Sequence, residues 1–125
     1  MSCMEYDPGK MWAGMKKNSD GLVPAITQDY ETGDILMMAY MNEEAFRLTC
    51  ETGYMHYYSR SRDSLWKKGE TSGHFQKVIS AYIDCDRDTL LYKIDQTGAA
   101  CHTGNRTCFY TELKDWVSDK DNKEE

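Results

Sequence analysis

Leu22-Val23-Pro24-Ala25-Ile26-Thr27-Gln28-Asp29 and Asp34-Ile35-Leu36-Met37-Met38-Ala39-Tyr40-Met41 decide the fold class. The first run reads as a strand, and Pro24 points to an edge position because it lacks an N–H for a ladder. The second is mostly apolar and short enough for a buried strand. Tyr30-Glu31-Thr32-Gly33 between them supplies a turn, with Gly33 free to take positive φ. The two runs therefore form a hairpin.

Downstream, Asn42 fits a helix N-cap, with Glu43 and Glu44 in the first turn where the dipole favours negative charge. Ala45 and Leu48 share a face, Phe46 lies over Cys50, and Gly53 ends the helix. Cys50 is thus assigned to the core. Further strands are expected over 54–60, 76–84 and 89–95, and a hairpin over 99–110. The polar stretch 61–73 reads as a long loop. Residues 1–20 lack periodicity and read as an arm, in which Cys3 has little claim to a role. Trp116 is expected to dock a short terminal helix, and 119–125 form a charged, frayed tail. The domain thus spans 21–118. The fold class is α+β, a mainly antiparallel sheet with one or two short helices.

At 125 residues the chain fits one domain, and it carries a net charge of −6. That charge excludes a general nucleic-acid binder. Arg60, Arg62, Lys67 and Lys68 nevertheless cluster in one stretch, which suits a small anionic ligand. No apolar run approaches the ~20 residues needed to cross a bilayer, so no membrane partner is expected. The first residues lack the apolar core of a signal peptide, so the expected location is cytoplasmic. Five cysteines, an odd number, favour thiols or metal ligands over a disulfide framework in that setting.

Three clusters carry chemistry. In Cys101-His102-Thr103-Gly104-Asn105-Arg106-Thr107-Cys108, a two-residue turn at Gly104-Asn105 sets Cys101 opposite Cys108. Two such thiolates can share a zinc ion, with Cys85 as the candidate third ligand and a fourth position open for water. A cross-strand disulfide or two buried thiols remain alternatives at this stage. In Asp84-Cys85-Asp86-Arg87-Asp88, alternation puts Asp84, Asp86 and Asp88 on one face and Cys85 on the other. Oxygen-only donors suit magnesium, provided the chain bends to bring all three together; a solvated strand end is the competing reading. An EF-hand is excluded, because the sixth and twelfth positions from Asp84 are Thr89 and Asp95 rather than Gly and Glu. Finally, Arg60, Arg62, Trp66, Lys68, Thr71 and Ser72 combine cations, hydroxyls and an indole, flanked by Gly69 and Gly73. Guanidinium and hydroxyl groups bind phosphate and an indole stacks on a purine, although each residue alone also fits solvent or core.

Taken together, Trp66-x-Lys68-Gly69-Glu70-Thr71-Ser72-Gly73, Asp84-Cys85-Asp86-x-Asp88 and Ala100-Cys101-His102-Thr103-Gly104 through Cys108-Phe109 resemble the phosphoribosyl-AMP cyclohydrolases in order and spacing. The resemblance runs from about Gly21 to Tyr110; His74 departs from the asparagine associated with its position. It implies an intertwined homodimer, with zinc on Cys85 of one subunit and Cys101 and Cys108 of the other. It also implies magnesium on Asp84, Asp86 and Asp88. The implied reaction is hydrolysis of the N1–C6 bond of the adenine ring of 1-(5-phosphoribosyl)-AMP by zinc-activated water, in histidine biosynthesis. His102 is the first candidate for the general base and His74 the second. The H-x-E with P-C-x-x-C signature of zinc deaminases is absent. In many organisms the family is fused to a phosphoribosyl-ATP pyrophosphohydrolase domain, for which this chain has no room, so that step is expected from another protein. The alternatives to an enzyme are a non-catalytic zinc-binding module and a nucleotide-binding regulatory module.

Overall fold

The computed structural model describes residues 7–116. The elements follow in the order α1 (Pro8–Ala13), β1 (Val23–Asp29), β2 (Ile35–Met41), α2 (Glu43–Thr52), β3 (His56–Ser59), β4 (Ser64–Lys67), β5 (Gln76–Ile83) and β6 (Leu90–Gln96). The six strands form one sheet in the order β4-β3-β2-β1-β6-β5. The fold is α+β, as expected. The sheet is mixed rather than purely antiparallel, because β1 and β6 run parallel while the other pairs are antiparallel.

Local sequence explains the elements that were expected. Asn42 Oδ1 accepts the Ala45 N–H at 2.8 Å, and Gly53 closes α2 in the left-handed region at φ 79°. Ala45, Phe46, Thr49 and Cys50 form the buried face, so Cys50 is core as read. Phe46 packs against Trp12 of α1 with ring centroids 5.7 Å apart. Truncating Phe46 to Ala would cost about 3–5 kcal/mol through the cavity it leaves.

Four expectations are corrected. Pro24 is not on an edge strand, since β1 lies between β2 and β6. It is tolerated because the parallel ladder to β6 begins one residue later, at Ala25 opposite Leu90. The stretch 1–20 is not wholly irregular: Asp7 caps α1, and Trp12 and Met15 are buried. The loop 61–73 contains strand β4, which pairs with β3. Residues 99–110 form no strands. Cys3 and the tail 119–125 lie outside the described residues.

The sheet curls until its two ends meet. Tyr54, just before β3, bridges Lys77 of β5, while Met55 N–H donates to Gln76 O at 3.0 Å and Val78 N–H to Gly53 O at 2.8 Å. Fully buried Tyr57, Met55, Val78, Tyr92 and Ile94 fill the interior. This closure brings the β4–β5 loop and the segment after β6 to one rim. No helix among the described residues is long and apolar enough to cross a membrane.

Candidate active site

On that rim lies a cavity of about 380 Å³. Arg62, Trp66, Lys68, Thr71, Ser72, His74, Cys101 and His102 all line it. Trp66 stands opposite Tyr57 across the β3–β4 pair, with ring centroids 5.0 Å apart, so the rigid core fixes its indole. Lys68 Nζ donates to Ala100 O at 2.5 Å and so ties the end of β4 to the segment carrying Cys101 and His102. Burial lowers the Lys68 pKa, while the neighbouring Cys108 and Cys101 sulfurs pull it back up. His102 is exposed and His74 partly buried.

One expected substrate residue is elsewhere. The Arg60 guanidinium lies 4.3 Å from the centroid of the Tyr40 ring and lines a separate surface hollow with Asp20 and Ser61. Conversely, Lys67, read from the sequence only as part of the basic stretch, lines the cavity, and so does Glu70, which did not stand among the expected site residues. Glu70 is the one carboxylate in that wall, against three cations, Arg62, Lys67 and Lys68. Its place inside the Lys68-to-Gly73 motif was the available signal.

The 101–108 segment is a looped excursion, not a two-residue hairpin. Gly104 N–H donates to Cys101 O at 3.0 Å, and Cys101 N–H donates to Asn105 O at 3.1 Å, so Cys101 stands opposite Asn105 rather than Cys108. Long-range bonds shape this loop. Arg106 reaches Asp29 at 2.7 Å and Asp34 at 3.3 Å, Thr107 Oγ1 donates to Ile35 O at 2.8 Å, and Cys108 N–H donates to Leu36 O at 2.7 Å. The two thiols still neighbour one another, and both are free rather than joined in a disulfide. A hydrogen bond with the Thr103 hydroxyl, 3.0 Å away, holds the Cys101 thiol below its usual pKa. Loss of solvent around its sulfur, together with the charge of Cys101, pushes Cys108 up.

Asp84, Asp86 and Asp88 each offer an oxygen within 4.8 Å of the others. Strand alternation is not the cause, because β5 stops at Ile83. The bend comes from a turn: Arg87 N–H donates to Asp84 O at 3.1 Å, with Arg87 in the left-handed region at φ 66°. Asp84 Oδ1 accepts the Asp88 and Thr89 N–H groups at 3.0 and 3.2 Å. Partial desolvation raises the Asp84 pKa, but hydrogen bonds led by the Asp88 backbone outweigh it and hold the carboxyl low. Interaction with Asp84 raises Asp88. Three clustered hard oxygens fit a divalent cation such as magnesium. Cys85 is an exposed free thiol on this turn, and the acidic trio is the one three-donor cluster among the described residues. Within the chain, then, Cys101 and Cys108 neighbour one another, and Cys85 does not join them.

The family model described as phosphoribosyl-AMP cyclohydrolase matches residues 37–110. The chain is 63% identical over 99 residues to the phosphoribosyl-AMP cyclohydrolase of Methanoregula boonei, covering 79% of this chain and 80% of that protein. It is 62% identical over 102 residues to that of Methanocella arvoryzae, covering 81% and 86%. It is also 57% identical over 101 residues to the histidine biosynthesis bifunctional protein HisIE of Aquifex aeolicus, covering 80% of this chain and 49% of that longer one. The chain belongs to the phosphoribosyl-AMP cyclohydrolase family, hydrolases of histidine biosynthesis.

Proposed function

We propose that the protein hydrolyses the N1–C6 bond of the adenine ring of 1-(5-phosphoribosyl)-AMP, in the cytoplasm and as a homodimer. The observation that carries this is the cavity in which an indole, three cations, two imidazoles and the Cys101 thiol converge. Trp66 offers a face to the purine, while Arg62 and Lys68, with Thr71 and Ser72, offer donors to phosphate. The second phosphoribosyl group makes C6 electrophilic and N1 a good leaving atom. Water adds at C6, the C6–N1 bond breaks, and the exocyclic amine stays, so the ring opens without release of ammonia. His102 or His74 returns a proton to N1; both imidazoles are in the cavity wall.

Cys101 and Cys108, with Cys85 of the partner subunit, would hold zinc, which would lower the pKa of a bound water. The neighbouring free thiols and the lowered Cys101 pKa support that ligand pair. The exposed Cys85 supports a ligand given to a second copy, as do the exposed Phe109 and Leu113 beside the cysteine loop. Asp84, Asp86 and Asp88 would hold magnesium.

The test is turnover of 1-(5-phosphoribosyl)-AMP followed by the change in purine absorbance, with metal analysis of the same protein. Cys101→Ser is expected to lose zinc and activity together. Activity lost with zinc fully retained would remove Cys101 from the ligand set. Absence of turnover by the metal-replete wild type would leave a binding module.

A further inference from the structure

Gln76 and Gln96 have no part in the chemistry above, yet they form a chain of hydrogen bonds that starts in the core and ends, partly buried, on His74. Gln76 is fully buried, at a β5 position whose inward neighbour in the strand pattern is Val78. An apolar side chain would fill that place without the cost of burying an amide. Its side-chain bonds link the core to the residue beside the cavity wall. Tyr57 Oη donates to Gln76 Oε1 at 2.7 Å, and Gln76 Nε2 donates to Gln96 Oε1 at 2.8 Å. Gln96 Nε2 donates to His74 O at 3.3 Å and Thr97 O at 3.0 Å.

The direction of the chain is forced. Carbonyl oxygens only accept, so Gln96 must turn its NH₂ towards His74 and Thr97. Its own oxygen then faces Gln76, whose NH₂ must face it, and the remaining Gln76 oxygen needs a donor. Tyr57 is that donor, and burial pushes its phenol pKa up, so the hydroxyl stays protonated.

The rest of the His74 seat has no slack. A Cβ on Gly98 would lie 2.6 Å from His74 Cδ2 and 2.8 Å from Nε2, so the imidazole rests directly on that glycine. A Cβ on Gly69 would lie 2.7 Å from the His74 carbonyl carbon and 2.8 Å from its oxygen. Gly69 thus packs against the same carbonyl that Gln96 holds. His74 N–H is taken by Ser72 Oγ at 3.1 Å. Backbone, carbonyl and ring are each fixed from a different side.

We infer that Gln96, oriented by Gln76 and Tyr57, is a positioning residue that sets the His74 imidazole in the cavity. This rests on the reading of His74 as a group that faces the substrate. An amide chain anchored in the core suits the task because it is satisfied in only one arrangement, so it transmits the rigidity of the core to one point on the rim. A misplacement of about 1 Å at a reacting group costs on the order of 100-fold in rate.

Gln96→Glu breaks the chain with almost no change in volume, because it sets a carboxylate oxygen against two carbonyl oxygens. In the full-length, metal-replete enzyme, kcat/KM is expected to fall at least tenfold, mainly through kcat. The chain has three histidines, so their ring signals separate readily by NMR. The His74 signal should move while those of His56 and His102 stay. In a His74→Ala background, Gln96→Glu should change kcat/KM less than twofold. If Gln96→Glu is insoluble, Gln96→Met provides the same three readouts. Independent, multiplicative effects of the two substitutions, or an unmoved His74 signal in a slowed variant, would overturn the positioning role. Unchanged kinetics in His74→Ala alone would instead overturn the reading of His74 on which it stands, and the assignment with it.

Discussion

The β5–β6 pair has two ends, and they differ in almost every respect. At one end His74 precedes β5 and Ala99 follows β6, and the chain forms a cavity whose wall carries Arg62, Lys67, Lys68 and two imidazoles. At the other, Asp84–Asp88 form an exposed acidic turn with a free thiol on it. An eight-residue strand rising ~3.3 Å per residue separates the two by roughly 25 Å. The cavity end is held by tertiary contacts; the turn is held mostly by its own hydrogen bonds, with Asp84 Oδ1 accepting from Asp88 and Thr89, plus one distant bond from Lys16 N–H to Arg87 O at 2.7 Å. Groups on opposite ends of one stiff ladder do not meet by local motion. On the zinc site proposed above, Cys85 would have to come from another subunit.

The sharpest way to break that comparison is complementation. Cys85→Ser and Cys101→Ser should each lose at least 1000-fold in kcat. Mixed under subunit exchange, they should recover about a quarter of wild-type activity, since half the two-fold dimers are mixed and each keeps one intact site of two. No recovery between variants shown to exchange would mean that the two ends do not share a site. The acidic end alone is probed by Asp86→Asn. Turnover at low magnesium should fall roughly 100-fold, and excess magnesium should narrow the gap. An unchanged magnesium dependence would make the trio a solvated turn.

The cavity end is sharpened by two arginines. Arg62→Ala should raise KM about tenfold, whereas Arg60→Ala, whose guanidinium lies over Tyr40, should change it less than twofold. Equal effects would move Arg60 into the site. The smallest effect concerns how the cysteine loop is anchored. The Arg106 guanidinium holds the Asp29 carboxyl below its usual pKa. A depressed carboxyl contributes stability above its unfolded pKa, and that contribution is lost as pH falls through the folded value. Arg106→Ala should lower Tm by about 4 °C near neutral pH, the gap closing below about pH 4. A gap that persists in acid would show that Arg106 acts by packing instead.

Legibility followed the range of the interactions. The β1–β2 hairpin and α2 were readable because an alternating or apolar run, a capping Asn42 and a terminating Gly53 act within a few residues. β4 was missed because Ser64-Leu65-Trp66-Lys67 is short and polar at its ends, and only pairing with Tyr57 and its neighbours makes it a strand. Cys101 and Cys108 were placed together, but by a register the loop does not use. Its conformation is set by Asp29, Asp34, Ile35 and Leu36, some 70 residues earlier in the chain, which no local pattern reveals.

The sequence by itself determined the inventory: which side chains are able to bind metal, which are able to bind anions, and the motif order that marks the family. Residue type and near-neighbour spacing are enough for that, because donor chemistry and short-range backbone preference belong to the chain wherever it folds. Only the tertiary structure decided the grouping. Closing the sheet seated His74 on Gly98, drew Lys68 to Ala100 and left Cys85 and Arg60 outside the cavity. Such proximity comes from packing between segments distant in sequence, and it exists only once the core has closed.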